Sequence, residues 1–204
     1  PAPEESLVIE SIKQLIILDQ DWAPTRRGEA LYVRPVLVAT EPHLAVKPSS
    51  RYRLLIFTAP VGEYFAQVSA PLYLKAEERY TRAPNGGTGS AKTASNYSVT
   101  LRPMDDSLNQ GFDQILWLDG QEHRYVEEAG QMNMFFRLGD SVVTPELSGT
   151  ILPGVTRESV LTLLNDMGIT ATERRLSMDE LFQAQIEGSL NEAFGAGTAS
   201  VVVP

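Results

Sequence analysis

GGTGSAKT, residues 86–93, decides how the chain is to be read. A nucleotide-binding P-loop has the form G-x-x-x-x-G-K-[ST], and here Gly86 is followed by four residues, Ala91 in place of glycine, then Lys92 and Thr93. Such a loop needs a hydrophobic strand before it and a helix opening at the lysine, because phosphates sit on helix N-termini. What precedes Gly86 is EERYTRAPN, polar and broken by proline. The P-loop reading fails. Two others stay open at this point: a glycine-rich surface loop, or a loop that presents Lys92 as a covalent nucleophile. A free lysine has a pKa of about 10.4, so a nucleophilic one has to be desolvated or set beside other cations.

A lysine of that kind works with a cofactor, and a cofactor phosphate needs backbone donors. LPGVTRES (152–159) places Gly154, Val155 and Thr156 at the start of an expected helix, where unpaired N–H groups and the dipole attract anions. FGAGTAS (194–200) reads as a glycine turn whose Gly195, Gly197, Thr198 and Ala199 could aim successive amides at an anion. Alternation along 122–128 puts Val126 and Glu128 on one face and Tyr125 and Glu127 on the other, so one carboxylate is carried inward. A buried carboxylate requires a partner.

Bulk properties set the limits around these motifs. A chain of 204 residues makes one large domain or two small ones. With 17 basic and 26 acidic residues the net charge is −9, which repels nucleic-acid backbones. The absence of cysteine removes disulfides, thiolate metal sites and cysteine nucleophiles, and two histidines, His43 and His123, cannot make a histidine-rich metal site; no metal is expected. No apolar run reaches the ~20 residues that span a bilayer, and PAPEESLVIE lacks a signal-peptide layout. A soluble, cytoplasmic chain with neither membrane nor nucleic-acid partner is expected.

Periodicity predicts a helix over 3–19, a strand over 30–40 in which Tyr32 and Arg34 share a face, and a second strand over 52–58. APVGEY (59–64) is a Pro/Gly break, which suggests domains of 1–58 and 67–204 joined by a loop at 59–66. Beyond it come a strand near 71–76, a partly helical 93–111, strands around a turn at Asp119-Gly120, and a strand pair around Gly139-Asp140. A helix follows Gly154, with Val160, Leu163, Leu164 and Met167 on one stripe. Another starts at the capping box Ser177–Glu180, and Trp22 and Trp117 are expected as core anchors.

Eight segments, in order, resemble the branched-chain amino acid aminotransferases of pyridoxal phosphate (PLP) fold type IV: LYVRP, TEPHLAVKP, APVGEYF, GGTGSAKTASNY, DQILWLDG, EEAGQMNMFF, ILPGVTR and FGAGTASVV. The resemblance covers about Leu15 to Val203. It implies an α+β fold like that of D-amino acid aminotransferase: part of a small α/β domain, then a larger mixed-sheet, pseudo-barrel domain with flanking helices. Lys92 matches the lysine bonded to the PLP aldehyde that later shuttles the substrate α-proton. Tyr97 matches a tyrosine on the cofactor's phenolic oxygen and Glu128 the carboxylate on its ring nitrogen. Leu152, Gly154, Val155, Thr156 and Thr198 fall at phosphate- or ring-binding positions, and Arg82 where the family has an arginine near the cofactor. Tyr32, Arg34, Thr198 and Ala199 match substrate-binding positions, Arg34 receiving the side-chain carboxylate of glutamate.

The implied reaction moves an amino group from leucine, isoleucine or valine to 2-oxoglutarate, giving the branched-chain 2-oxo acids and glutamate, in a homodimer. Other fold-type-IV chemistries, D-amino acid transamination or aminodeoxychorismate lysis, remain alternatives, as does an inactive isolated core. The family carries a longer N-terminal segment, with an arginine for the PLP phosphate, and further strands and a helix at the C-terminus, so truncation at both ends is expected. A redox C-x-x-C of some animal members would fall at Ser200 and Val203.

Overall fold

The computed structural model of the protein describes residues 2–26, 28–62, 71–198 and 201–204. The chain divides into two compact units, Pro1–Ala66 and Gln67–Pro204.

In the first unit, helix α1 (Glu5–Leu18) opens with Glu5 in its first turn, where a carboxylate meets the positive end of the dipole. Strands β1 (Ala30–Ala39) and β2 (Tyr52–Val61) form an antiparallel pair in unbroken register from Ala30↔Val61 to Ala39↔Tyr52. The pair has two open edges, which is why Pro35 and Pro60, lacking an N–H, are accommodated within it. β2 runs past the expected end at residue 58, because Ala59, Pro60 and Val61 pair with Tyr32, Leu31 and Ala30. The break expected over 59–64 therefore starts inside a strand; the rest of that loop, from residue 63, lies outside the described residues. Thr58 Oγ1 donates to Asp19 Oδ2 and so ties the end of α1 to β2. Trp22, expected in the core, is exposed on a short 3-10 turn, Gln20–Trp22.

In the second unit an eight-stranded mixed sheet is present among the described residues. Its strands are β3 (Leu74–Glu77), β4 (Gln114–Leu118), β5 (Val126–Ala129), β6 (Met132–Leu138), β7 (Ser141–Thr144), β8 (Thr170–Glu173), β9 (Leu190–Gly197) and β10 (Val201–Val203). β3 lies parallel to β4 and β7 parallel to β8, while the remaining pairs are antiparallel. β6 organises the sheet. Along one edge it pairs with β9, and along the other it pairs first with β5, at residues 132–133, and then with β7, at residues 136–138. Between those two partners the Met134 carbonyl accepts instead from Thr144 Oγ1, at 2.7 Å, inside the protein. A buried carbonyl left without a donor would cost as much as a lost hydrogen bond.

Helices α2 (Ser95–Ser98) and α3 (Leu101–Leu108) lie between β3 and β4, and α4 (Val155–Asp166) and α5 (Met178–Glu187) lie between β7 and β9. Phe135 stacks on Phe194 across the β6–β9 pair, centroids 5.1 Å apart, and Val160, Leu161, Leu164 and Ile169 pack on that cluster. Leu163 and Met167, expected on the same buried stripe, are exposed, and Leu161 takes their place. Trp117 is buried, as expected. The Ser177 hydroxyl accepts from the Glu180 amide at 3.1 Å, half of the expected capping box; the Glu180 carboxylate turns instead to Arg174. Gly139-Asp140 forms the tight β6–β7 turn. Asp119-Gly120 does not do the same for β4 and β5: the connection runs from Asp119 to Tyr125, and the Asp119 carboxylate accepts the amides of Gln121, Glu122, Arg124 and Tyr125. Burial works against that charge, but the four donors outweigh it and hold the group at about 2.

Candidate active site

β5 carries the centre of the site. All four of its residues are buried, so Glu127 and Glu128 both go inward, on opposite faces. The expectation that one of them faces outward fails because this sheet is covered on both sides at β5. Glu128 Oε1 accepts the Leu152 amide at 2.6 Å and lies 3.3 Å from Arg82 Nη2. Burial pushes Glu128 up to about 7, against the opposing pull of Arg82 and the Leu152 amide. Asn133 sits opposite Glu128 in the β5–β6 register and donates from Nδ2 to the Leu152 carbonyl at 2.9 Å. Two facing side chains thus clamp both polar groups of one peptide residue. Gly154 completes the fit: a Cβ there would lie 2.3 Å from Asn133 Oδ1.

The glycine-rich segment reaches the same place from the other side. Arg82 Nη2 also donates to the Gly89 carbonyl at 3.3 Å and to the Thr150 carbonyl. A Cβ on Gly89 would lie 2.4 Å from the Thr150 carbonyl oxygen, and the Ser90 amide donates to Gly149 at 3.1 Å. The glycine therefore serves a backbone-to-backbone approach. Asn96 is buried under the loop and fastens it, donating to the carbonyls of Thr88 and Ala91 and accepting from Thr88 Oγ1. Lys92 projects from this fastened loop with Nζ 5.7 Å from the Tyr97 ring centre, and its charge bears on Glu128. Lys92 is exposed, so the desolvation that the nucleophile argument asks for does not come from the described residues.

Arg82, Ala91, Tyr97, Glu128, Gly130, Gln131 and Leu152 line one cleft. Gly154 and Val155 border a separate hollow along α4, whose first turn has no side-chain cap; Thr156 is the next residue of that turn. The glycines of FGAGTAS do not form the expected turn. Gly195 and Gly197 lie in β9, paired with β10, and Thr198 is an exposed turn residue just past the strand end, two positions beyond the Asn133↔Ala196 pair. Ala199 lies outside the described residues. Tyr32 and Arg34 are in the first unit, where the Arg34 guanidinium lies 4.9 Å from the Tyr32 ring centre, on the shared face that strand alternation predicts.

The family model for amino-transferase class IV matches residues 4–204. The chain belongs to this family. Among class IV aminotransferases, it is 47% identical over 204 residues to "Branched-chain-amino-acid aminotransferase 2" of Bacillus subtilis, which covers 100% of this chain and 56% of the relative. It is 44% identical over 209 residues to "Branched-chain-amino-acid aminotransferase" of Mycobacterium tuberculosis, again over 100% of this chain and 57% of the relative. The chain thus spans little more than half the length of the curated relatives it matches. Among solved structures, the Escherichia coli branched-chain amino acid aminotransferase superposes with a TM-score of 0.80 at 22% identity, over 100% of this chain and 64% of that one, a likeness of fold. An aminotransferase from Brucella abortus bound to the co-factor PLP gives 0.78 at 23% identity, over 96% of this chain and 66% of that one, again a likeness of fold. The fold is thus the α+β fold type IV of these enzymes, as the resemblance implies.

Four residues of this candidate site have no counterpart among the sequence expectations. Asn96 and Asn133 shape the loop and clamp the Leu152 peptide, Thr150 receives Arg82 on its carbonyl, and Glu127 is a second buried acid. Asn133 could have been found by its alternation with the buried apolar residues of MNMFF. Thr150 carried no signal, because its part is played mainly by its backbone.

Proposed function

We propose that this chain carries most of the catalytic machinery of a PLP-dependent branched-chain aminotransferase. Support comes from one arrangement: a buried carboxylate, Glu128, fixed by Arg82 and the Leu152 amide, in a cleft shared with Tyr97, whose ring centre lies 5.7 Å from Lys92 Nζ. The residues fit the cofactor. Glu128 accepts its two protein contacts on Oε1, which leaves Oε2 for a ring nitrogen; the uncapped amides at Val155 and Thr156 suit a phosphate. PLP, when bound, supplies an aldehyde for a lysine amine and a ring that withdraws electrons.

The chain's own residues then divide the work. Glu128 would keep a proton on the ring nitrogen and Tyr97 would hydrogen-bond the phenolic oxygen, while Arg82 holds Glu128 in place. Val155, Thr156 and Thr198 would hold the phosphate, with Leu152 and Gly154 as further cofactor-binding positions. Lys92 would hold the aldehyde carbon through its amine, with loss of water, and as a free amine would carry the proton of the substrate α-carbon. The amides of Thr198 and Ala199 receive the substrate carboxylate, Arg34 receives the side-chain carboxylate of glutamate, and Tyr32 contacts the substrate. Residues 1–58 act as part of the small domain, 59–66 as the interdomain loop and 67–204 as the PLP-binding domain. The amino donors are leucine, isoleucine and valine, the acceptor is 2-oxoglutarate, and the working form is a cytoplasmic homodimer.

Titration with PLP tests this reading. A long-wavelength absorbance band that is lost in Lys92→Ala, and that L-leucine bleaches while D-alanine does not, is the expected result. No band, or bleaching by D-alanine alone, overturns it.

A further inference from the structure

Behind Glu128, on the opposite face of β5, the second acid has no assigned task. Glu127 is 5% exposed and Glu128 3%, so two neighbouring carboxyls are both withdrawn from water. Glu127 Oε1 accepts from Thr150 Oγ1, while its Oε2 is buried without a hydrogen-bond partner. Thr150 is the residue whose carbonyl accepts from Arg82 Nη2, and Arg82 is the ion-pair partner of Glu128. The two acids are therefore joined through Thr150 and Arg82 as well as through the strand.

Around this pair the charges do not balance. Arg82 acts on both acids. Arg175 acts on Glu127 alone, and it already faces Asp119 at 3.9 Å and Glu122 at 3.5 Å while lying over the Tyr125 ring. Asp119 repels Glu127, and Glu146 lines the same hollow as Glu127. Lys92 acts on Glu128 alone and is exposed. One buried guanidinium thus serves two buried carboxyls. An ionised carboxylate oxygen with no donor, away from water, is costly, and protonation relieves it.

We propose that Glu127 and Glu128 form a coupled pair holding one proton against their shared counter-ion Arg82, and that Glu127 is a positioning residue setting how much negative charge Glu128 presents to a cation in the cleft. When a second cation arrives at Glu128, both acids ionise and the shared proton leaves to solvent. The pairing of the acids is independent of the cofactor; its use in catalysis rests on the proposed function. Burial raises both groups, Glu127 raises Glu128 further, and Arg82 pulls both down.

Carboxyl-carbon NMR of glutamate-labelled protein without cofactor tests the pair directly. In wild type the Glu128 signal is expected to titrate near neutral pH, and in Glu127→Gln its midpoint should fall by about one pH unit, a tenfold change in proton affinity. A Glu128 midpoint unmoved by Glu127→Gln overturns the proposal. Should that variant fail to fold, Thr150→Val serves instead: loss of the hydroxyl donor should raise the Glu127 midpoint, and independent single-site titrations of both acids in wild type overturn the proposal without any variant. A second arm measures proton release on adding PLP at pH 7, where wild type should release about 0.4 proton more than Glu127→Gln; equal release overturns the catalytic use of the pair. Failure of PLP to bind either form sinks the proposed function and leaves the NMR result standing.

Discussion

Arg82 Nη2 and Glu128 Oε1 lie 3.3 Å apart with both side chains almost wholly withdrawn from solvent. Removing either partner strands the other. Arg82→Met should lower unfolding free energy by about 3 kcal/mol, the usual cost of leaving one member of a buried pair alone. It also deletes the donor to Gly89 and Thr150. Urea denaturation at pH 7 reads the loss, and a change under about 1 kcal/mol would mean that Glu128 simply takes up a proton.

Two acids should shape the pH dependence of stability in opposite directions. Glu128 is raised from 4.5 to about 7, so in that window the folded chain holds more protons than the unfolded one. Its contribution is complete below 4.5 and declines as pH rises toward 7. Asp119 is lowered from 3.8 to about 2, so its contribution is present above 3.8 and is lost as pH falls toward 2. Denaturation at a series of pH values should therefore show a maximum between the two windows. Glu128→Gln should flatten the neutral side and Asp119→Asn the acid side; the reverse assignment of limbs would refute both.

Gly89→Ala places a methyl group 2.4 Å from the Thr150 carbonyl oxygen, a backbone atom that cannot swing aside. Overpacking of this kind costs about 1–3 kcal/mol. The strain falls on the loop bearing Lys92, so PLP affinity should drop more than global stability does. Absorbance titration and chemical denaturation of the same variant separate the two effects.

Asn96→Ala should unfasten that loop without touching the cleft's charges. Three hydrogen bonds to Thr88 and Ala91 disappear, leaving the two carbonyls with only the amides of Ala91 and Thr93, and about 1–3 kcal/mol of local stability goes with them. Faster amide exchange at Ala91 and Thr93, whose N–H groups close the turn, is the expected signature. Unchanged exchange would show that Asn96 is dispensable to the loop.

Much of this architecture could be read from residue order. The helix over 5–18, the strand pair of the first unit and the β6–β7 hairpin follow from periodicity and turn chemistry, and eight motif segments in order carried the resemblance to the family. What escaped was decided by partners distant along the chain. Asp119-Gly120 has the composition of a tight turn, but the carboxylate gathers four amides and holds a wider loop open. Gly195 and Gly197 look like a turn until β6 and β10 are placed on either side of them. Glu127 looks solvent-facing because alternation supposes a sheet with one wet face.

The double pairing along β6 has a consequence for synthesis on the ribosome. One flank of residues 132–138 is closed early by near neighbours, whereas the other waits for residues 190–197 to emerge. Until then a nascent polypeptide displays an open apolar ladder, MNMFFRL, of the kind that recruits other unfinished chains. Chaperone dependence during translation should accordingly end once β9 has cleared the exit tunnel.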